Sequence, residues 1–437
     1  MKKNFMIEAT ALTLSLAVIF LFSVSPVYQQ SASAAEKEKS EAISTDFFPI
    51  FPCDPQHGYR APFIQKRTWG LESIKECNYT MAGFVRPEDL PECEKLGLAA
   101  IMISGAGLIQ AKEWGKFSDA KIDSIIKKMV DEAGSSKAVF GFHITDEPGA
   151  SMFPAIAKAV AAVKKYAPGK LAYLNIYPNY ATIGAKNLSQ METDSYSEYL
   201  ERFVREVKPQ FISYDNYMVE YSQDLQDSVK AASYYTNLME VRALSLKYDL
   251  PFWNTVSSNQ IRPTTTIPSP ANLRFQAYTT LAAGGKGVKW YTYYSRDAYG
   301  YAPIDKGDRK SQTWYYVKDV NREILTLAPI LKDLKTTGVY FTAPLPVSSL
   351  PVLPGALIQS AESDAPLMVG EFEDPNGARY AMTVNLSLQK SAIVSLTARN
   401  SLDKLQLISA ADGAPSDLDA KTGFWLTAGQ GALIRMK

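Results

Sequence analysis

The feature that most constrains the fold is a regular alternation between about residues 46 and 335. Short apolar runs rich in β-branched and aromatic residues alternate with amphipathic helical patterns. Such an alternation predicts parallel strands joined by crossover helices, an α/β fold. Eight runs have strand character, the number that a closed (β/α)8 TIM barrel requires. The predicted strands are Phe47–Cys53, Tyr79–Val85, Ala99–Ser104, Ala138–Thr145, Leu171–Tyr177, Phe211–Tyr217, Pro251–Ser257 and Gly287–Tyr294.

The helical segments between these runs carry start and stop signals. Ser195, with Glu198 three residues later, has the pattern of a capping box, and Pro209 ends the apolar repeat that follows. Ser269 suits an N-cap because Pro270 then occupies the first helical position. These signals predict helices that pack one apolar face against the sheet.

The composition and the hydrophobic pattern of the sequence change after the last predicted barrel helix, which runs from Gln312 to Leu327. Residues 336–437 are rich in Pro, Gly, Ser and Thr, and apolar positions alternate with polar ones. This pattern predicts a small C-terminal all-β domain, a sandwich, after a barrel domain at 46–335. Its strands are predicted at Leu367–Phe372, Tyr380–Val384, Ala392–Leu396, Leu405–Ile408 and Ala432–Met436.

The N-terminal segment has the pattern of a secretory signal. Two lysines precede an apolar run at residues 9–24, and an Ala-Ser-Ala motif follows at 32–34. The run is short for a membrane-spanning helix. We therefore expect residues 1–34 to be a signal peptide and residues 35–45 a flexible tail. The mature protein is expected to be secreted or periplasmic, without stable membrane insertion.

Composition excludes several partners. The formal net charge is +1, from 46 Lys and Arg against 45 Asp and Glu, so nucleic acid is not an expected partner. With two His and three Cys in the chain, a zinc site built on those residues is not expected, and no cofactor is predicted. Export would permit one disulfide among Cys53, Cys77 and Cys93, whereas buried free thiols are the simpler interpretation.

In a barrel of this kind the active site lies at the C-terminal ends of the strands. The side chains predicted there are carboxylates, amides and aromatic rings, with few cations. Sugar hydrolysis uses that set, because one carboxylic acid protonates the leaving oxygen and a second carboxylate attacks the sugar or activates water. A carbohydrate is therefore the expected partner. The candidate site residues are Asp146, Glu147, Asn175, Tyr177, Asp215, Tyr217, Trp253, Asn254, Tyr293 and Arg296.

The segment Asp146-Glu147-Pro148 at the end of the fourth strand resembles the Asn-Glu-Pro of the large clan of barrel glycoside hydrolases. In that clan the Glu is the acid/base and the preceding residue contacts the 2-hydroxyl of the sugar. The resemblance extends to the eight-strand order and to the trailing β domain. It implies that Glu147 is the acid/base and that Asp146 binds the sugar.

The chain departs from the clan at the seventh strand. The nucleophile of the clan is a Glu at the end of that strand, whereas residues 253–258 contain no carboxylate. Asp215 at the end of the sixth strand, flanked by tyrosines, is therefore the leading candidate for the second carboxylate. Asp54 and Asp297 are weaker candidates.

Other interpretations remain open at this stage. Glu147 would also suit the N-terminus of a helix, where its charge favours the dipole, and Asp215 could be a structural hydrogen-bonding group. His143 is more typical of a barrel interior than of a proton shuttle. The absent carboxylate at the seventh strand favours a second function, a non-catalytic glycan-binding protein on a degenerate barrel. A metal-dependent hydrolase or lyase is a third and remoter option.

Overall fold

The computed structural model describes residues 46–59, 62–64, 67–296, 298–419 and 422–437. The predicted signal peptide, the predicted tail and the weaker candidate Asp297 lie outside the described residues. In these ranges no helix has both the length and the apolar character needed to cross a membrane.

The eight predicted parallel strands all form, most of them shorter than the sequence pattern suggests. Each one pairs in parallel with its neighbour in the sheet. The strands are β1 (Ile50–Pro52), β2 (Met81–Val85), β3 (Ala99–Met102), β4 (Val139–Asp146), β5 (Leu171–Asn175), β6 (Ile212–Asp215), β7 (Phe252–Ser257) and β8 (Val288–Tyr291).

The hydrogen bonding between these strands does not run round a closed barrel, so the prediction of closure is wrong. The strands form two four-stranded sheets, in the orders β2-β3-β4-β5 and β6-β7-β8-β1. Between β5 and β6 a single bridge pairs Ile176 with Tyr214. Between β1 and β2 the hydroxyl of Thr80 accepts the backbone N–H of Ile50 at 2.8 Å, so a side chain replaces a bond of the ladder. Among the described residues, the one backbone bond at this junction runs from the N–H of Thr80 to the carbonyl of Ile50, at 3.0 Å.

Helices connect the strands as predicted. Ser195 accepts the backbone N–H of Glu198, and Ser269 forms a reciprocal capping box with Asn272, so both predicted N-caps are confirmed. The helices are α1 (Leu71–Glu76), α2 (Leu90–Leu96), α3 (Ala111–Trp114), α4 (Asp119–Ala133), α5 (Phe153–Tyr166), α6 (Tyr196–Arg202), α7 (Met218–Tyr221), α8 (Ser228–Tyr248), α9 (Pro270–Ala282) and α10 (Gln312–Leu331). Single-turn 3-10 helices at Pro87–Asp89 and Ala150–Met152 and a π-helical turn at Phe203–Val207 complete the set.

Helix α10 is longer than predicted, because it continues past Leu327 to Leu331 and includes Pro329. A proline lacks the N–H that would bond to the carbonyl four residues earlier. In the last turn of a helix this removes one hydrogen bond and leaves the rest of the helix intact. The proline is therefore tolerated where the sequence pattern suggested a stop.

Aromatic side chains fill the interior between the two parallel sheets near the N-terminal ends of the strands. The rings of Phe211 and Trp253 lie 4.7 Å apart between centroids, and Phe51 packs edge-on against Trp253 at 5.8 Å. Tyr173 and Phe84 continue this layer. The layer packs the interior beneath the C-terminal ends of the strands, and Phe84 reaches the cavity that opens there.

The C-terminal region is all antiparallel, with two sheets that enclose a core between them. A six-stranded sheet has the order β15-β14-β17-β12-β11-β9 and a three-stranded sheet the order β10-β13-β16. Side chains from both sheets meet in this core, as in a β-sandwich. The strands are β9 (Lys335–Phe341), β10 (Ile358–Ser363), β11 (Leu367–Glu373), β12 (Arg379–Asn385), β13 (Ala392–Ala398), β14 (Leu405–Ile408), β15 (Pro415–Asp417), β16 (Phe424–Leu426) and β17 (Gly431–Met436).

The outer face of the six-stranded sheet packs directly on helix α9. Met368, Met382 and Leu433 on that face belong to the same apolar core as the helices around the parallel strands. A Cβ on Gly370 would lie only 2.0 Å from the carbonyl oxygen of Ala282 in α9. The backbone of the sheet and the backbone of the helix are therefore in direct contact, and the β region is fixed to the rest of the fold.

This contact predicts that Gly370→Ala destabilises the protein. The added methyl group meets helix backbone, which cannot move aside as a flexible side chain would, and such overpacking costs about 1–3 kcal/mol. In a large domain each kcal/mol shifts Tm by roughly 2–4 °C, so a thermal melt detects the change. Gly300→Ala is the matched control, because its Cβ would meet only Gln260 Oε1, at 3.7 Å. Equal melting temperatures for the two variants would contradict the close packing.

Candidate active site

A pocket opens at the C-terminal ends of the parallel strands, with a volume of about 340 Å³. Small-molecule sites span roughly 300–1,000 Å³, so this cavity is at the small end of the range. It is walled by strand residues from β2, β4, β5, β6 and β8 and by residues in the segments that follow β1, β3, β4, β6, β7 and β8. The predicted site residues that line it are Asp146, Glu147, Asn175, Asp215, Tyr217 and Arg296.

Glu147 directly follows β4 in an unusual backbone conformation. Its φ is +44°, in the left-handed region that non-glycine residues rarely adopt. The backbone N–H of Glu147 donates to the carbonyl of Asn175 at 2.8 Å, which fixes this turn against the end of β5. Residues held in such conformations cost of order 1–3 kcal/mol and concentrate at functional sites. The strain at Glu147 is therefore consistent with a role in the pocket.

Asp215 ends β6 and is held by a network that spans three strands. Its carboxyl group is buried, with 3% of the residue exposed, and accepts the side-chain N–H of Asn175 at 2.8 Å. The amide oxygen of Asn175 in turn accepts the hydroxyls of Ser213 at 2.8 Å and Thr255 at 3.1 Å. Asn175, predicted to bind substrate, therefore has both ends of its amide occupied in orienting Asp215.

Burial and mutual repulsion raise the pKa values of the pocket carboxyls by different amounts. Burial, then the nearby Asp215 and Asp146, raises the pKa of Glu147 to about 9. Burial, then Asp146, raises the pKa of Asp215 to about 7, although Lys289 and Asn175 oppose the rise. Near neutral pH one carboxyl of the pocket is thus protonated while its neighbour begins to ionise, which is how acid and base roles separate.

An aromatic wall stands across the pocket from the carboxyls. The rings of Tyr217 and Tyr291 lie 5.3 Å apart between centroids, and Arg296 donates to the hydroxyl of Tyr291 at 3.1 Å. Arg296 also lies 3.5 Å from Asp54, the weaker candidate for a catalytic carboxylate. Asp54 accepts the hydroxyl of Tyr59 as well, at 3.0 Å. Asp54 is thereby an ion partner of Arg296 rather than a free acid.

Two predicted residues on β7 lie away from the pocket, and the structure corrects their assignment. Trp253 is 1% exposed and belongs to the aromatic layer at the opposite end of the interior. Asn254 points the other way, and its amide donates to the hydroxyl of Thr280 on α9 at 2.9 Å. Both lie near the start of the strand, so neither reaches the C-terminal end where the cavity opens.

Tyr293 and Tyr177 also fall outside the pocket lining. Tyr293 is fully buried against the surrounding helices, where its hydroxyl bonds with Ser73 at 2.7 Å and accepts the indole N–H of Trp314 at 3.0 Å. Tyr177 packs beside Tyr199 at 6.2 Å between ring centroids. Its place near the C-terminal end of the eighth predicted strand suggested that Tyr293 would line the pocket. In the structure its side chain turns toward the helices instead.

The sequence analysis missed Lys289, a buried cation in the middle of β8. The residue is 2% exposed and lines the pocket together with His143. Burial and the nearby ammonium group lower the pKa of His143 to about 3, so this imidazole is neutral. The available signal was the strand alternation, since Lys289 shares a face with Tyr291 and is the one charge in an otherwise apolar and aromatic strand.

Glu220 in α7 is a second buried charged residue outside the predicted site residues. It accepts the hydroxyl of Ser257 at 2.5 Å, the hydroxyl of Thr265 at 2.6 Å and the backbone N–H of Ile261. Burial raises its pKa to about 7. These three donors tie the loop after β7 to α7. Glu220 thus shapes the pocket through Ile261, which lines it, and does not itself line the cavity.

The three cysteines are all buried free thiols, so the simpler of the two predicted states is the observed one. Burial raises the pKa of Cys53, which lines the pocket, to about 12. This thiol is therefore protonated at physiological pH and is a poor nucleophile. Across the described ranges no group of three His, Cys, Asp or Glu side chains is arranged to hold a metal ion.

The raised pKa of Glu147 predicts a pH-dependent stability. The ordinary pKa is 4.5 and the folded value is about 9, so between these values the folded state binds more protons than the unfolded state. The contribution of this group to stability is complete below the ordinary value and is lost as the pH rises through the folded one. Glutamine carries no such proton. We expect Glu147→Gln to melt at a higher temperature than the wild type at pH 8, with a smaller gap at pH 5. An unchanged or lower Tm at pH 8 would show that the carboxyl is not buried in this way.

Comparison with known proteins identifies relatives in fold only. No protein-family model matches the chain, and no curated protein matches it in sequence. A glycoside hydrolase family 5 protein from Bacteroides vulgatus ATCC 8482 aligns over 91% of this chain and 91% of its own, with a TM-score of 0.55 and 11% identity. A catalytic mutant of a GH42 β-galactosidase from G. stearothermophilus aligns over 84% of this chain and 95% of its own, with a TM-score of 0.56 and 8% identity.

A third match is more partial. The chain aligns over 64% of its length with the β-galactosidase from the psychrophilic Marinomonas ef1, spanning 60% of that enzyme at 9% identity and a TM-score of 0.47. At such identities the family 5 and GH42 matches show a shared fold and nothing finer. The chain therefore has the α/β architecture of known glycoside hydrolases.

Proposed function

We propose that this chain is a secreted or periplasmic glycoside hydrolase, with Glu147 as general acid/base and Asp215 as nucleophile or base. The observation that carries the proposal is that both carboxyls line one small pocket, where burial and neighbouring carboxyls raise the pKa of Glu147 to about 9 and that of Asp215 to about 7. Hydrolysis of a glycosidic bond needs one protonated and one ionised carboxyl beside the same bond. The fold shared with two glycoside hydrolases supports the same assignment.

The proposed mechanism follows from the charge states. Glu147, protonated at neutral pH, donates its proton to the bridging oxygen as the bond to the anomeric carbon breaks. Asp215 is oriented by Asn175 and ionised above about pH 7. In one route it attacks that carbon, and water deprotonated by the Glu147 carboxylate then cleaves the glycosyl ester and frees Asp215. In the other route it removes a proton from a water molecule that attacks the carbon directly. Asp146, the last residue of β4 and the neighbour of Glu147, contacts a hydroxyl of the sugar. The rings of Tyr217 and Tyr291 offer a flat apolar surface for the face of the sugar.

The same arrangement speaks against a purely glycan-binding role. A carboxyl that is held protonated at neutral pH by burial destabilises the fold at higher pH, as argued above for Glu147. Binding hydroxyl groups needs no such group, because amides and tyrosines serve as well. The pocket therefore contains a feature that hydrolysis uses and that binding alone does not.

A panel of aryl glycosides and natural polysaccharides tests the proposal. We expect the purified wild-type chain to release reducing sugar from at least one member, with the anomeric form of the first product followed by proton NMR. Retention would identify Asp215 as the nucleophile, and inversion would identify it as the base. Binding to a glycan in the panel without any release of sugar would instead support the glycan-binding role.

A further inference from the structure

Lys289 occupies a central place in the pocket that the proposed mechanism does not use. It lies in the middle of β8, in register with Phe51 of β1 and Thr255 of β7, and only 2% of the residue is exposed. It lines the cavity with the two proposed catalytic carboxyls. A charged group is thus built into the floor of the site by the strand itself, not by a loop.

The ammonium group of Lys289 has no close anionic partner. In the part of the chain that the structure describes, no carboxylate oxygen lies within 4.0 Å of its Nζ. The group lies 5.2 Å from the ring centroid of Tyr173 and 5.8 Å from that of Phe84, and its polar partner is the neutral hydroxyl of Tyr173 rather than an anion. The other cation of the pocket, Arg296, is by contrast matched with Asp54. A buried charge without an ion partner costs several kcal/mol, so a partner that arrives with the ligand would be strongly favoured.

The pocket carboxyls do not supply that partner. Glu147 is protonated at neutral pH, and Asp215 accepts the amide of Asn175. Asp146 and Asp215 influence the charge of Lys289 from beyond ion-pair distance. A bound anion would therefore meet the ammonium group directly, without displacing an existing ion pair.

We infer that Lys289 binds an anionic substituent of the sugar, so that the pocket selects an acidic sugar, carrying a carboxylate or a sulfate, over its neutral counterpart. This inference rests on the proposed function for the identity of the ligand as a sugar. It makes Lys289 a specificity-determining residue. A charge-assisted hydrogen bond from a buried ammonium to a carboxylate or sulfate oxygen would provide the selectivity.

Calorimetric titration at pH 6 tests the inference without any turnover. The probes are glucuronate and galacturonate for the carboxylate, the 6-sulfates of glucose and galactose for the sulfate, and the two neutral hexoses. A hydrogen bond to a charged group is worth about 1.5–3 kcal/mol, so we expect one acidic class to bind the wild type about 10–100-fold more tightly than its neutral hexose. The class that binds identifies the anion. Neutral hexoses binding as tightly as both acidic classes would overturn the inference, and so would no binding by any acidic sugar.

Lys289→Met removes the charge and keeps the length of the side chain. We expect this variant to lose the preference for the acidic sugar while it keeps its affinity for the neutral one. Lys128→Met on the outer helix α4, where the lysine side chain is 72% exposed, is the matched control and should bind like the wild type. If Lys289→Met weakens acidic and neutral sugars equally, the lysine acts on the pocket carboxyls rather than on the ligand, and the inference fails. Because binding is the readout, a chain that bound acidic sugars but hydrolysed none would refute the proposed function alone.

Discussion

Glu147→Gln is expected to lower kcat/KM by about 10²–10⁴-fold for a glycoside with a poor leaving group, because the proton donor is lost. Glutamine matches the shape of the carboxylic acid and can still donate a hydrogen bond, but it cannot transfer a proton. The loss should shrink for aryl glycosides with strongly acidic leaving groups, since these depart without protonation. Initial rates across a series of such leaving groups therefore measure the role of Glu147 as an acid.

The control for this variant is Glu88→Gln, which removes a surface carboxyl whose side chain is 50% exposed and paired with Arg86. It should retain wild-type rates across the whole series. Near wild-type turnover by Glu147→Gln on the poor leaving groups would remove Glu147 from the mechanism. A loss of equal size for every leaving group would mean that the residue acts otherwise than as a proton donor.

Asp215→Asn is the second large effect that we expect. The loss in kcat/KM should be about 10²–10⁴-fold, which is typical of removing an acid or base group. The variant keeps the volume of the side chain, and its amide oxygen can still accept the N–H of Asn175. It cannot attack an anomeric carbon or take a proton from water. Turnover measured on the best substrate of the panel reports the loss, and a small added anion such as azide should restore part of the rate.

Asp131→Asn is the matched control for this second variant, because the Asp131 side chain is 61% exposed on helix α4 in an ion pair with Lys127. It should be indistinguishable from the wild type in rate. If Asp215→Asn also kept its rate, the second carboxylate would have to be Asp146, the other acid that lines the pocket. The double replacement of Asp146 and Asp215 would then separate the two assignments.

The path of the main chain could be read from the sequence, because hydrophobic periodicity reports local geometry. All eight parallel strands follow from it, and the helix caps at Ser195 and Ser269 follow from the residue types at the helix starts. The interruption between β1 and β2 could not be predicted, since it depends on the hydroxyl of Thr80 replacing a ladder bond across 30 residues. Strand β15 was missed for a different reason, because its Pro-Ser-Asp sequence has no strand pattern of its own and forms only by pairing with β14.

The site residues that could be predicted from the sequence are those at the C-terminal ends of the strands. Asp146, Glu147, Asn175 and Asp215 are the last residues of their strands or follow them directly, and the structure brings them to one cavity.

Side-chain direction was harder to predict. Trp253 and Asn254 lie near the start of β7, and where a strand starts depends on its length in the folded sheet. Tyr293 turns toward the helices because the chain changes direction after the end of β8. Lys289 was not singled out, although strand alternation places it on the same face as Tyr291. Its surroundings come from β1, β2 and β5 and cannot be seen from β8 alone.

The pH dependence of kcat/KM for the wild type and Glu147→Gln tests the central claim most directly. With an aryl glycoside whose leaving group still needs protonation, the wild-type rate should rise as Asp215 ionises near pH 7 and fall as Glu147 loses its proton near pH 9. The two limbs belong to the coupled pair of carboxyls as a whole. The account predicts that the upper limb disappears in Glu147→Gln while the lower limb remains. An upper limb that persists unchanged in the variant would contradict it.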